Sequence, residues 1–171
     1  MSEPQVSVMM GSISDYDVMV AGIRVLNDLD IDYEVKVLSA HRSPAAVAEY
    51  AGGAEARGLQ VFIAGAGGAA HLAGTVAAHT RLPVIGVPLV ASSLAGLDAL
   101  LATVQMPGGV PVATVGVGKS GAVNAAHLAG RILALASEDM AANVDANRAG
   151  QTRKVGDMQT DLEAKLAADG L

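Results

Sequence analysis

Between residues 58 and 118 the chain carries only two charged side chains, Arg81 and Asp98. A stretch so poor in charge must be withdrawn from water, into a bilayer or into a protein core. A membrane-spanning helix needs about 20 consecutive apolar residues. Here the run is cut by Gly65, Gly67, Gly68, His71, Pro83, Pro88 and Pro107, and the pieces between them are short. Short apolar pieces bounded by Gly and Pro are the pattern of strands buried on both faces of a parallel sheet. At 171 residues, with 51% hydrophobic and 16% charged, the expectation is one domain with a sizeable core.

The chain repeats a strand–loop–helix unit. Predicted strands cover 5–10, 32–38, 60–64, 83–87 and 111–115; Tyr33, Val35 and Val37 alternate with charged residues, which places the second nearer an edge. Predicted helices follow each strand. The first runs to about Leu29, and the second starts with Ser43 as N-cap and Pro44 at its first position. The third is Ala-rich and reaches about Thr80, the fourth is capped by Ser92 or Ser93, and the fifth runs from near Lys119 to about Leu135. Right-handed crossovers put such helices on both faces of a parallel sheet, so the fold class is α/β. Beyond Ser137 the composition shifts, for this tail holds 11 of the 28 charged residues. Met158, Leu162 and Leu166 recur there at four-residue spacing, as in a short amphipathic helix that either docks on a neighbouring subunit or frays. The helices are lined with Ala and Gly, which permits close approach, and a weakly charged surface favours a homo-oligomer.

Composition also excludes partners. The only aromatics are Tyr16, Tyr33, Tyr50 and Phe62, and the net charge is −6, so neither the stacking platforms nor the basic footprint of a nucleic-acid binder is present. With no cysteine there is no disulfide, thiolate metal site or cysteine nucleophile. The opening MSEPQ lacks a basic-then-apolar signal pattern, which points to the cytoplasm.

Ligands of open parallel sheets bind beyond the carboxyl ends of the strands, near the reversal of strand order. Three loops lie there: 11–15 (GSISD), 39–43 (SAHRS) and 65–71 (GAGGAAH). Each enters a helix, so backbone N–H groups face the cleft as an anion site, and Arg42 adds a fork of donors for phosphate or carboxylate. The Gly65-x-Gly67-x-x-Ala70 spacing imitates a dinucleotide fingerprint but follows the third strand and has no acid about 20 residues on. The run 113–120 nearly spells a phosphate-binding P-loop, with Ala113 where the first Gly is required. His79 and His127 sit in Ala-rich helical segments and read as helix-surface or packing residues. His41, beside Arg42 and three serines, reads as a general acid/base or as a loop-stabilising hydrogen bonder. No His/Asp/Glu set has zinc-like spacing, and no Gly-x-Ser-x-Gly elbow is present.

Together VMMGSISD, SAHRSP, AGAGGAAHLAG, PVIGVP and VQMPGGVPVATVGVGKSGAVNAA, collinear over about residues 6–136, closely resemble the PurE family of purine biosynthesis in its N5-carboxyaminoimidazole ribonucleotide mutase class. The resemblance implies a flavodoxin-like three-layer αβα sandwich with a five-stranded parallel sheet, assembled as a homo-octamer, with residues 1–136 as the catalytic domain and 137–171 as a charged helical extension. It implies carboxylate transfer from the exocyclic nitrogen of a ribonucleotide to its ring carbon 4, with no metal and no organic cofactor. It makes His41 the acid/base residue and Ser12, Asp15 and Arg42 substrate-binding residues, with Ser14, Ser39, Gly67 and His71 as further members of the pocket. Ala73 stands where the family usually has Pro, and Gly108 where Arg often follows QMP. Two rival readings stand beside it: a carboxylase using carbon dioxide directly, and a flavodoxin-like binding or electron-transfer protein. The latter would sandwich a flavin between aromatics that the loops lack.

Overall fold

The computed structural model describes residues 3–171. Its elements are β1 (Val6–Met10), a 3-10 turn (Ile13–Asp15), α1 (Tyr16–Asp28), β2 (Tyr33–Val37), α2 (Pro44–Gly52), β3 (Val61–Gly67) and α3 (Leu72–Ala77). They continue with β4 (Val84–Leu89), α4 (Leu97–Val104), β5 (Ala113–Thr114), α5 (Lys119–Leu133) and α6 (Glu138–Ala168). The five strands pair in parallel in the order β2-β1-β3-β4-β5. The α/β fold expected from the alternation is therefore present, and its strand order is the flavodoxin-like one, with the switch point between β1 and β3.

Strand periodicity divides the core. Val6, Val8 and Met10 of β1 and Val61 and Ile63 of β3 face the layer of α1 and α5, while Met9, Phe62 and Ala64 face the layer of α2 and α3. The scarcity of aromatics is met by close approach of helices. A Cβ on Gly22 of α1 would sit 2.5 Å from the backbone oxygen of Ala122 in α5, and Ala122, Ala125, Ala126 and Ala129 are wholly buried. Small residues here let two helix backbones nearly touch, so dispersion contacts replace bulky side chains.

Several boundaries differ from the sequence expectation. β3 runs on through Gly65, Ala66 and Gly67, because these residues pair with Val87, Pro88 and Leu89 of a correspondingly longer β4. β5 contracts to two residues, and α3 stops at Ala77, short of Thr80. Neither Ser92 nor Ser93 caps α4: Gly96, at φ +85°, is the N-cap residue, and Ser92 Oγ instead donates to Asp98 Oδ2 at 2.7 Å. The tail is one helix of 31 residues rather than a short one. Ser137 caps it by accepting from the Met140 amide at 3.2 Å, Met140 is buried, and Asn143 donates to the Leu29 carbonyl at 3.2 Å. From residue 151 onward every residue is exposed, Met158, Leu162 and Leu166 included. Among the described residues no helix is long and apolar enough to cross a membrane.

Candidate active site

At the β1/β3 switch point the loops after β1, β2 and β3 meet around a cavity of about 310 Å³, lined by Ser12, Ser14, Asp15, Ser39, His41, Arg42, Gly67 and His71. The structure thus brings together all eight residues singled out in the sequence. His79 lies elsewhere, its Nδ1 2.8 Å from the Thr75 carbonyl. His127 also lies apart, against α6 with Nε2 3.3 Å from Gln151 Nε2, and burial pushes its pKa down, assisted by Arg131. None of residues 113–120 lines the cavity.

The first loop is closed by a reciprocal cap. Ser12 Oγ accepts from the Ser14 amide at 3.3 Å and from Ser14 Oγ at 2.9 Å, while Asp15 Oδ2 accepts from the Ser12 amide at 3.0 Å. Burial raises the pKa of Asp15; the amides of Ser12 and Gly11 and the charge of Arg42 oppose that rise.

The second loop is tied across its ends. Ser43 is the N-cap residue of α2 and Pro44 opens the helix, as expected, but the Ser43 hydroxyl turns back from the helix amides: it accepts from the Ser39 amide at 3.0 Å and donates to the Ser39 carbonyl at 3.1 Å. Ser39 Oγ in turn accepts from the Arg42 amide at 3.2 Å and from Arg42 Nε at 3.4 Å. Arg42 Nη2 donates to the Gly11 carbonyl at 2.9 Å and so joins the first loop to the second. These two side-chain bonds leave three of the five guanidinium N–H groups for a ligand.

His41 and His71, from different loops, meet with Nε2 of one 2.8 Å from Nδ1 of the other and their rings nearly perpendicular at 82°. A single proton lies between those nitrogens. When His41 donates it, the His41 Nδ1 lone pair is free to act as a base. Beside them, Gly67 is fixed by packing. A Cβ there would lie 2.4 Å from the Ala91 Cβ, so glycine is needed for the wall itself to close. Ala91, in the loop after β4, is a cavity residue that the sequence reading missed, and an isolated Ala offers no signal. Among the described residues, no group of three His, Cys, Asp or Glu could hold a metal ion.

This constellation can bind an anion through Arg42 and the loop amides, accept hydroxyls at Asp15 and move a proton at His41. Comparison with known proteins points to one family. A family model described as AIR carboxylase matches residues 5–154. The N5-carboxyaminoimidazole ribonucleotide mutase of Bacillus subtilis is 54% identical over 146 residues, covering 85% of this chain and 90% of the relative. That of Pyrococcus abyssi is 58% identical over 132 residues, covering 77% and 75%. The crystal structure of Treponema denticola PurE superposes with a TM-score of 0.83 at 28% identity, covering 93% of this chain and 98% of the other. With its fold, its strand-end loops and its sequence all pointing one way, the chain belongs to the AIR carboxylase family.

Proposed function

We propose that the chain is an isomerase that converts N5-carboxyaminoimidazole ribonucleotide to 4-carboxy-5-aminoimidazole ribonucleotide in de novo purine (IMP) biosynthesis. The observation that carries this reading is the convergence of His41 and Arg42 with Ser12 and Asp15 on one cavity, in a chain 54% identical to such a mutase. Arg42, the serines and the loop amides take the ribotide phosphate. Asp15, with Oδ2 held by the Ser12 amide, accepts ribose hydroxyls.

The chemistry balances without an added reactant. Breaking the exocyclic N–C bond releases carbon dioxide, and the nitrogen takes a proton. Carbon 4 then attacks the carbon dioxide, and the ring proton at that carbon leaves to restore aromaticity. His41 is suited to deliver the first proton and accept the second, returning to its starting state each cycle. His71 sets its tautomer, and Ser14, Ser39 and Gly67 shape the pocket. A dry cavity keeps carbon dioxide from escaping.

The same reading carries a cytoplasmic homo-octamer working with neither metal nor organic cofactor. It also carries a division into a catalytic unit, 1–136, and an extension, 137–171. Support for assembly is the row of exposed apolar side chains along α4.

The test is turnover of the N5-carboxylated ribotide without added bicarbonate, followed by ultraviolet absorbance. Wild type should convert it, and His41→Asn should fold and assemble normally while losing about 10²–10⁴-fold in kcat. A near-native rate in the variant removes His41 from the reaction. Activity confined to the uncarboxylated ribotide with carbon dioxide makes the protein a direct carboxylase.

A further inference from the structure

Outside the cavity a polar chain runs through the layer of β1, β2 and α2. Ser7 in β1 is wholly buried, with Oγ 2.7 Å from the Tyr50 hydroxyl of α2, and that hydroxyl donates to Glu34 Oε1 of β2 at 2.6 Å. Proton counting fixes the direction. A carboxylate only accepts, so the single phenol proton goes to Glu34, and Ser7 donates to the phenol oxygen. Arg57 closes the group: Nη2 donates to the Tyr50 carbonyl at 2.9 Å, Nε lies 3.7 Å from Glu34 Oε1, and the guanidinium sits 4.5 Å from the Tyr50 ring centroid.

The three elements joined at this hydroxyl are the ones that carry two of the site loops. β1 leads into 11–15 and β2 into 39–43, and the latter enters α2. The buried side chains of α2 are only Val47 and Ala51, too small and featureless to specify a height on the sheet. Because Ser43 is bonded to Ser39 at the far end of the loop and its carbonyl accepts from the Val47 amide of α2 at 3.1 Å, loop and helix form one hydrogen-bonded run.

We infer that Tyr50 is a positioning residue, whose hydroxyl fixes α2 against β1 and β2 and thereby sets where His41 and Arg42 enter the cavity. Its kinetic consequence rests on the proposed reaction; its structural consequence does not. A hydroxyl deleted opposite a buried Ser7 leaves that serine unpaired, which is costly, whereas deleting both partners is nearly neutral. Stability and positioning can therefore be separated.

The experiment compares Tyr50→Phe with the Ser7→Ala/Tyr50→Phe double variant in the full-length assembled protein. Tyr50→Phe should lower Tm, and the double variant should recover most of it. Both should lose about ten- to a hundredfold in kcat/KM, with KM raised through Arg42 and kcat lowered through His41. Glu34→Gln, which keeps an acceptor for the phenol, should stay within about twofold of wild type. In selectively labelled protein the His41 ring resonances should shift in both Tyr50 variants while those of His79 stay. A double variant with restored Tm, wild-type kcat/KM and unmoved His41 resonances overturns the inference. Moved His41 resonances alongside an active His41→Asn enzyme would leave the positioning role standing and fault the proposed reaction alone.

Discussion

Asp15 is pulled two ways. Its partial burial disfavours the charge that its proposed task of accepting ribose hydroxyls requires, while the amides of Ser12 and Gly11 and the charge of Arg42 defend it. Burial prevails, so the folded-state pKa stands above the ordinary carboxylate value. Within the window between the two, the native state holds a proton that the unfolded chain has released. Stability from this group is therefore greatest below the window and declines as pH rises through it. Ligand binding runs the other way, since it needs the carboxylate. The acid limb of kcat/KM is expected to fall off with a midpoint above the ordinary aspartate value in wild type. Asp15→Asn should have a high KM at all pH values and no such limb; an unchanged limb in that variant assigns it to another group. At this scale the sequence was most legible where a polar side chain stood at a strand end, as with Ser12, His41 and Arg42. Ser43 was legible as the N-cap position before Pro44, but not the direction of its hydroxyl, which can bond the helix amides or the preceding loop, and only the fold decides between them. Ala91 was invisible because its contribution is position alone.

The helices show how one substitution can change sign with context. Adding a Cβ at Gly22 drives it to within 2.5 Å of the Ala122 carbonyl oxygen, so α1 and α5 must part, whereas a Cβ at Gly156 in α6 meets nothing within 4 Å. Glycine in a helix interior costs about 1 kcal/mol relative to alanine. Gly156→Ala should recover that much locally, read as slower amide exchange around residue 156. Gly22→Ala should forfeit the same gain to overpacking of about 1–3 kcal/mol, lowering the midpoint of denaturant unfolding. A Gly22→Ala midpoint above wild type would mean that the two helices are not held at this spacing. Element type was readable from apolar periodicity throughout, and element ends were not. β3 gained Gly65–Gly67 through pairing with β4, a tertiary effect that defeats the poor strand propensity of glycine. The start of α4 was misplaced because Gly96, not a serine, supplies its cap. The length of α6 was underestimated because its charged, weakly apolar sequence gives only a faint periodic signal.

In the single chain, His41, Arg42 and His71 are all exposed to solvent, yet the proposed reaction passes through free carbon dioxide and needs a closed cavity. The surface that can close it is marked. Val90, Leu94, Leu97, Leu101 and Val104, spaced alternately by four and three residues, are 47–60% exposed and run along α4 and the loop before it. That loop also contributes Ala91 to the cavity wall. A run of exposed apolar side chains is stable in water when a second copy covers it, and the chain's sparse charge leaves little to oppose association. Covering this stripe would also cover the loop that bears Ala91, so assembly and catalysis should fail together. Leu97→Glu combined with Leu101→Glu places two charges where the interface is expected, and burying an unpaired carboxylate is prohibitive. Sedimentation velocity should show the double variant as a smaller species with an unchanged far-UV spectrum and kcat/KM reduced at least tenfold, while His41→Asn keeps the native size. A double variant that sediments like wild type and turns over normally would place the subunit contact elsewhere and leave the single chain to close its own cavity.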